Sequence, residues 1–238
     1  MTTDVTTTSV DQFDEDAFSV LDRLSRALHI KEAGLQPTLD AIVRAATEYV
    51  PGANYAGLNL LVGGKRFEPQ AVFGAPPPVL DEQQKTSGEG PCIDASREQI
   101  VIHIEDMATD TRWPQFAALA VSLGVGSMLC LPLWVDDRQL GSLSLCSANI
   151  GFDAASERMA TLLALHAALA LSEAQRTEQL RVAIANRDLI GQAKGILMER
   201  HRITPDEAFS RLAAVSQRTN RRLADIADEV SSTGRLPE

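Results

Sequence analysis

The side chains best placed for chemistry are cations toward the C-terminal end of the sequence. Arg187 and Lys194 are seven residues apart, which on a helix of about 3.6 residues per turn puts them on one polar face with Gly191. Arg218, Arg221 and Arg222 flank Asn220 at what reads as a break between two helices. Arginine and lysine hold phosphates, and arginine and asparagine read base edges, so this set suits a nucleic acid. The competing reading is a solvated face with intrahelical ion pairs. Glu207 with Arg211 and Arg221 with Asp225 have the i, i+4 spacing for it. Gly195 lies inside the same helical run, where a glycine costs about 1 kcal/mol relative to alanine. It therefore points to close approach by another backbone or by a partner molecule.

Little else in the sequence suggests chemistry. Cys92 follows Gly90-Pro91 at the possible start of a short helix, where thiols can become reactive. It is a candidate redox residue beside the commoner outcome of a packing cysteine. Cys130 and Cys146 lie in apolar strand-like runs and read as core. The four histidines, His29, His103, His166 and His201, make no close spacing with cysteine or carboxylate, so no metal is expected. Glu105 and Asp106 are adjacent at a strand end and would point to opposite faces. No Gly-rich phosphate loop or nucleophile elbow is present. The residues give an enzyme little support and imply no cofactor.

Composition agrees. The chain has 238 residues, 45% of them hydrophobic, enough for one medium domain and a small one. There is no long apolar run for a membrane span and no secretory leader pattern at the N-terminus. Three cysteines form neither a disulfide framework nor a zinc pattern and fit a reducing cytoplasm. The net charge of −10 is uneven. Residues 1–175 hold 11 basic and 23 acidic side chains, net −12; residues 176–222 hold 10 and 5, net +5. An acidic body with a basic segment fits a regulatory domain joined to one that binds a polyanion.

The elements that must position these residues follow from periodicity. Residues 1–15 read as a disordered tail. Amphipathic helices are predicted over Asp16 to Leu28 and Leu35 to Val50. Strands follow at Tyr55 to Val62 and Phe67 to Phe73, joined at Gly63-Gly64. Ala75-Pro76-Pro77-Pro78 reads as a rigid loop. Residues 86–97 read as a loop running into a short helix, Ile100 to Ile104 as a strand, and Trp113 to Leu123 as a helix. Ser127 to Val135 and Gln139 to Ser147 are strands joined by Asp136, Asp137 and Arg138. From Phe152 a long helix runs toward Arg200, with an apolar stripe at Leu162, Leu165 and Leu169 that continues weakly at Leu180, Ala183 and Ile184. That stripe suits a dimerising helix. Thr204-Pro205-Asp206-Glu207 carries a capping box for a second helix, whose buried face is Ala208, Leu212 and Val215 with Phe209 beside them. Leu223, Ile226, Ala227 and Val230 are the buried face of a third. The fold class is α+β, an antiparallel sheet flanked by helices, then a long helix and a small three-helix unit.

Two families resemble these runs. Ile190, Gln192-Ala193-Lys194-Gly195-Ile196-Leu197-Met198, Glu207-Ala208-Phe209, Leu212, Asn220, Leu223 and Ala227 closely resemble the ANTAR domain, an RNA-binding module of transcription antitermination regulators. Gly88-Glu89-Gly90-Pro91-Cys92, Asp106, Trp113-Pro114, Gly126-Ser127, Leu131-Pro132-Leu133 and Leu140-Gly141-Ser142-Leu143 resemble a GAF domain, often a small-molecule sensor or dimerisation module. The implied organisation is a GAF domain over 16–172, a connecting helix over 153–185 and an ANTAR domain over 176–238. The implied partners are stem-loops in nascent RNA, a second copy of the chain and an unknown ligand of the GAF domain. The implied contact residues are Arg187, Gln192, Lys194, Gly195, Arg218, Asn220, Arg221 and Arg222. A DNA-binding helix-turn-helix regulator and a sensor or adaptor that binds a protein are the alternatives.

Overall fold

The computed structural model describes residues 34–63 and 66–237. The predicted tail and the helix predicted over Asp16 to Leu28 lie outside the described residues. The elements are α1 Leu35–Tyr49, β1 Tyr55–Val62, β2 Arg66–Phe73, α2 Pro76–Ser87, α3 Pro91–Glu98, β3 Ile102–Ile104, α4 Pro114–Ser122, β4 Ser127–Val135, β5 Arg138–Ser147, α5 Ala154–His201, α6 Pro205–Thr219 and α7 Leu223–Thr233. The chain divides into two compact units, Met1–Gln175 and Arg176–Glu238.

The larger unit is built on one antiparallel five-stranded sheet in the order β2-β1-β5-β4-β3. One face is apolar. Leu58 and Leu60 of β1, Leu129, Leu131 and Leu133 of β4, and Leu143 and Leu145 of β5 pack there with α1 and the first half of α5. The stripe of α5 on this face is rich in alanine (Ala160, Ala164, Ala167, Ala168), which brings the helix close to the sheet. The other face carries smaller and more polar side chains. Cys130, Cys146 and Met128 pack there with Leu80, Cys92, Ala95 and Phe116 of the covering helices.

Two bulges adjust this alternation. In β5, Gly141 pairs with Leu133 but Gln139 pairs with Trp134, so Leu140 is an extra residue that turns into the leucine core. In β2, Gln70 is extra between Pro69 and Ala71. Pro69 is tolerated because β2 is an edge strand.

Three expectations change. The proline run is not a loop: Pro76, Pro77 and Pro78 open α2, where the first helical positions need no intrahelical N–H donor. The connection between β4 and β5 has two residues, Asp136 and Asp137, because Arg138 already pairs with Val135. Glu105 and Asp106 follow β3 rather than end it, and Asp106 Oδ1 accepts from the Ala108 N–H.

The smaller unit is held by one buried cluster: Ala193 and Leu197 of α5, Ala208, Leu212 and Val215 of α6, and Ile226, Ala227 and Val230 of α7. The capping box forms as predicted, with Thr204 Oγ1 accepting from the Glu207 N–H and Glu207 Oε2 accepting from the Thr204 N–H. Asn220 ends α6 in the left-handed region at φ 51°, a conformation asparagine tolerates well. Arg200 donates to the Gly234 carbonyl and ties the end of α7 to α5.

Gly141 has φ 154°, and an added Cβ would collide with the Asn59 carbonyl oxygen of β1. Gly141→Ala is expected to destabilise the larger unit by about 3 kcal/mol or more. Gly88→Ala, where an added Cβ meets nothing, should cost about 1 kcal/mol of backbone strain alone. Urea unfolding of the two variants checks the difference.

Candidate RNA interface and ligand pocket

On α5 the core-facing direction is fixed by Ala193 and Leu197, both fully buried. At about 100° per residue, Arg187 and Lys194 stand about 20° apart on one flank, with Gly191 beside them. Among the described residues neither Arg187 nor Lys194 makes an ion pair. Gln192 lies about 160° around the helix from Lys194. The α5 residues singled out from the sequence therefore do not share one face.

The glycines on this flank are open. A Cβ at Gly191 or Gly195 would meet no atom of the chain within 4 Å. Packing of the chain on itself, one of the two explanations for Gly195, is therefore absent among the described residues. What remains is exposed backbone beside two unpaired cations.

The second group surrounds the α6–α7 turn. Asn220, Arg218, Arg221 and Arg222 are all exposed. Arg221 Nη2 lies 2.7 Å from Glu229 Oε2. Arg222 donates two hydrogen bonds to Asp225, at 2.9 and 2.7 Å. Donation by Arg222 holds the Asp225 carboxyl below its ordinary value. The pairing expected between Arg221 and Asp225 is thus replaced by two others. Glu207 is engaged with the Thr204 cap. Among the described residues Arg218 makes only a long contact, 3.4 Å, to the Pro237 carbonyl. Exposed pairs of this kind are weak and can exchange for phosphate.

Phe209 corrects another expectation. It is 43% exposed and does not belong to the buried cluster. Its neighbour Ala208 takes the core position, and one residue along a helix turns the side chain about 100° away. The unit therefore presents an aromatic ring to solvent, the kind of surface on which an unpaired base stacks.

In the larger unit a layer of buried polar groups lies between the polar sheet face and α2 and α3. It contains Asn59, Asp81, Gln84, Ser96, Ser142 and Ser144, each at most 3% exposed. Asn59 Nδ2 donates to Asp81 Oδ1 at 2.7 Å, and Ser144 Oγ donates to the Gly57 carbonyl. Asp81 Oδ2, Gln84 Nε2, Ser96 Oγ and Ser142 Oγ are buried without partners. Gly57 lets α2 close on the sheet, since an added Cβ would stand 3.0 Å from Pro77 and 2.8 Å from Ser144 Oγ. Beside this layer is a pocket of about 420 Å³ lined by Leu61, Phe67, Ile93, Gln139 and the cations Arg66, Lys85 and Arg97. Lys85 pairs with Glu68 and Arg97 with Asp94.

Cys92 sits in the first turn of α3 and is buried, as are Cys130 and Cys146. Burial pushes the Cys130 and Cys146 thiols well up. His103 Nδ1 faces Glu157 at 3.2 Å, and His166 Nδ1 contacts the Leu162 carbonyl. No group of three or more metal-ligating side chains occurs among the described residues.

A family model described as a GAF domain matches residues 32–172, and one described as an ANTAR domain matches residues 178–230. The chain is a GAF–ANTAR protein. ANTAR is an RNA-binding antitermination domain and GAF a sensory one, so the chain belongs to a regulator family. No curated protein matches it in sequence. The fold of its GAF domain is similar to that of a GAF domain from an Acinetobacter phosphoenolpyruvate-protein phosphotransferase. That structure is 16% identical, with TM-score 0.54, covering 68% of this chain and 97% of that one. It is also similar to free methionine-R-sulfoxide reductase from Neisseria meningitidis in complex with its substrate, 17% identical with TM-score 0.54, covering 68% and 91%. A domain of a putative two-component sensor histidine kinase from Sinorhizobium meliloti is 18% identical with TM-score 0.51, covering 63% and 99%. One of these similar folds is itself a reductase and the other two are domains of a phosphotransferase and a sensor histidine kinase, all under 25% identical, so the likeness establishes the GAF fold alone.

The polar layer of the GAF domain went unread in the sequence, because Asp81 and Gln84 sit in the helix that its prolines disguised. Burial raises Asp81 to about 6, opposed by the Asn59 hydrogen bond. The folded chain therefore holds this proton where the unfolded chain has released it, and Asp81 lowers stability progressively as pH rises from about 4 to about 6. Asp81→Asn keeps an acceptor for Asn59 and removes the charge. It should gain on the parent chain by on the order of 3 kcal/mol between pH 4 and pH 7. Urea unfolding across that range measures this, and parallel profiles for the two chains would assign the ionisation elsewhere.

Proposed function

We propose that the chain is a cytoplasmic regulator of transcription whose ANTAR domain binds paired stem-loops in a nascent transcript and favours an antiterminator over a terminator hairpin. The observation that carries this reading is the α5 flank: Arg187 and Lys194 are aligned, make no ion pair among the described residues and are bordered by bare backbone at Gly191. Two cations on one helix face about 10 Å apart can hold successive parts of a phosphate backbone. The glycines admit a sugar-phosphate chain where a larger side chain would hold it off. Arg218, Asn220, Arg221 and Arg222 supply a second contact region, and Phe209 a stacking surface. The acidic Asp225, Asp228 and Glu229 on α7 disfavour its entry into a DNA major groove.

The GAF domain supplies the signal in this reading, through a small molecule in the pocket lined by Arg66, Lys85 and Arg97. A homodimer presents two ANTAR domains to two stem-loops. Its contact is the α5 stripe of Leu162, Leu165 and Leu169, of which Leu165 and Leu169 are 55% and 52% exposed. Their spacing of three and four residues is that of a helix–helix seam. No helix among the described residues is long and apolar enough to cross a membrane, which accords with a protein that meets nascent RNA.

The primary test is an electrophoretic shift on RNA with two short-looped stem-loops, against scrambled RNA and duplex DNA. Selective retardation of the stem-loop RNA is expected. Preference for duplex DNA would favour a helix-turn-helix regulator, and no nucleic-acid binding by the full chain or by residues 150–238 would favour an adaptor. Arg187→Ala with Lys194→Ala should weaken RNA binding at least tenfold at unchanged thermal stability. It should also make the salt dependence of log affinity shallower by about 0.7 for each lost phosphate contact. Sedimentation tests the second element: Leu165→Asp with Leu169→Asp is expected to convert a dimer to a monomer, and an unchanged dimer would place the interface elsewhere.

A further inference from the structure

Two cysteines of the GAF domain are in contact. Cys92 Sγ of α3 lies 3.4 Å from Cys130 Sγ of β4, both as free thiols. The two residues are 1% and 0% exposed. Neither RNA binding nor the neighbouring pocket requires a thiol at either position.

We propose that Cys92 and Cys130 are a redox modification site, oxidised to an intramolecular disulfide by a hydroperoxide. A disulfide has an S–S length of about 2.05 Å, so the sulfurs must close by about 1.4 Å. The closing element is α3. It has only eight residues and follows a turn that is exposed at Gly88 and Glu89 and buried at Gly90, with Gly88 at φ 74° and Gly90 at φ 146°. β4 is held by hydrogen bonds on both sides, to β3 and β5, and is the more constrained of the two elements. The remaining cysteine is excluded as the partner of Cys130 by register. Cys130 pairs with Ser144 and Cys146 pairs with Met128, so these two cysteines are diagonal across the strands. Diagonal neighbours are about 7–8 Å apart, beyond the Cα separation that a disulfide accepts without backbone movement.

The order of events follows from position. Cys130 lies near the middle of β4, an interior strand of the sheet, whereas Cys92 lies at the end of α3 that adjoins the exposed turn at Gly88 and Glu89. Local opening of that turn admits a molecule the size of water. The Cys92 sulfur attacks one peroxide oxygen and the O–O bond breaks. The departing oxygen leaves as water with the thiol proton, giving a sulfenic acid at Cys92. The Cys130 sulfur then attacks the Cys92 sulfur. Its S–H proton leaves with the sulfenic hydroxyl as a second water, and the S–S bond forms. Two thiols lose two electrons in all, and one hydrogen peroxide becomes two waters. The product staples α3 to β4 and fixes Ile93 and Arg97, which line the pocket. In a reducing compartment such a bond is transient, as redox-sensing disulfides are.

The test uses the full chain, fully reduced and then exposed to hydrogen peroxide under native conditions. It is afterwards alkylated in denaturant and mapped by mass spectrometry without reduction. The expected result is loss of two hydrogens, peptides containing Cys92 and Cys130 joined to each other, and only Cys146 alkylated. Reductant should restore all three thiols. Cys146→Ser should give the same map, and Cys130→Ser should stop at an oxidised but unlinked Cys92. The proposal is overturned if the parent chain keeps Cys92 and Cys130 fully alkylated at peroxide levels that oxidise its unfolded form. It is equally overturned if the linked peptides contain Cys146 or join two chains.

Discussion

β5 is hydrogen-bonded along both edges, to β1 over Gly141–Cys146 and to β4 over its length. A strand held on both sides has no freedom of register, and its alternation then decides what each face of the sheet can be. Leu143 and Leu145 go to the face covered by α1 and α5. Ser142, Ser144 and Cys146 go to the face covered by α2, α3 and α4. The bulge at Leu140 adds one more leucine to the first face without moving the rest. It requires a residue without a side chain at Gly141, where the backbone of β1 passes directly alongside.

That division separates the two tasks of the domain. The leucine face is well packed and supplies most of the stability available from apolar burial. The polar face retains buried groups whose hydrogen-bonding capacity is only partly met, a state that costs about 1–3 kcal/mol for each unsatisfied group. A sheet built for stability alone would not keep them. Their position beside a pocket, under two short helices joined by a glycine turn, is where a sensory domain needs groups that answer to a change of occupant or of oxidation state. The alternation that makes the leucine core thus also makes the buried polar layer, and a one-residue slip in β5 would destroy both.

The strands were legible in the sequence because period-two runs of leucine and valine bounded by turns have few alternatives. β1 and β4 lie where the pattern put them, and the capping box at Thr204 located the start of α6. The misreadings have physical causes. Three prolines at residues 76–78 read as a loop, although a helix tolerates proline where no intrahelical donor is needed. Phe209 reads as core because it is large and apolar, but residues 208, 212 and 215 already fill that side of α6. The buried polar layer is a property of tertiary packing: nothing local distinguishes Asp81 from an exposed aspartate. The cations were visible by spacing, but which of them are neutralised was not, since the pairing of Arg221 with Glu229 depends on how α7 folds back.

Charge at the ANTAR domain is best judged locally. The whole chain carries −10, which by itself would repel RNA. At physiological salt, interactions beyond about 8 Å between exposed charges are largely screened, so the total matters less than the few cations proposed to contact phosphate. Those cations differ in kind. Arg222 must give up two hydrogen bonds to Asp225, and Arg221 its pairing with Glu229, before either can serve a ligand. Arg187 and Lys194 have no ion pair among the described residues to give up, and their flank of α5 exposes backbone at Gly191. Equal formal charge therefore carries unequal capacity for a phosphate, and under the proposed function the α5 flank is the anchor and the α6–α7 turn the weaker contact.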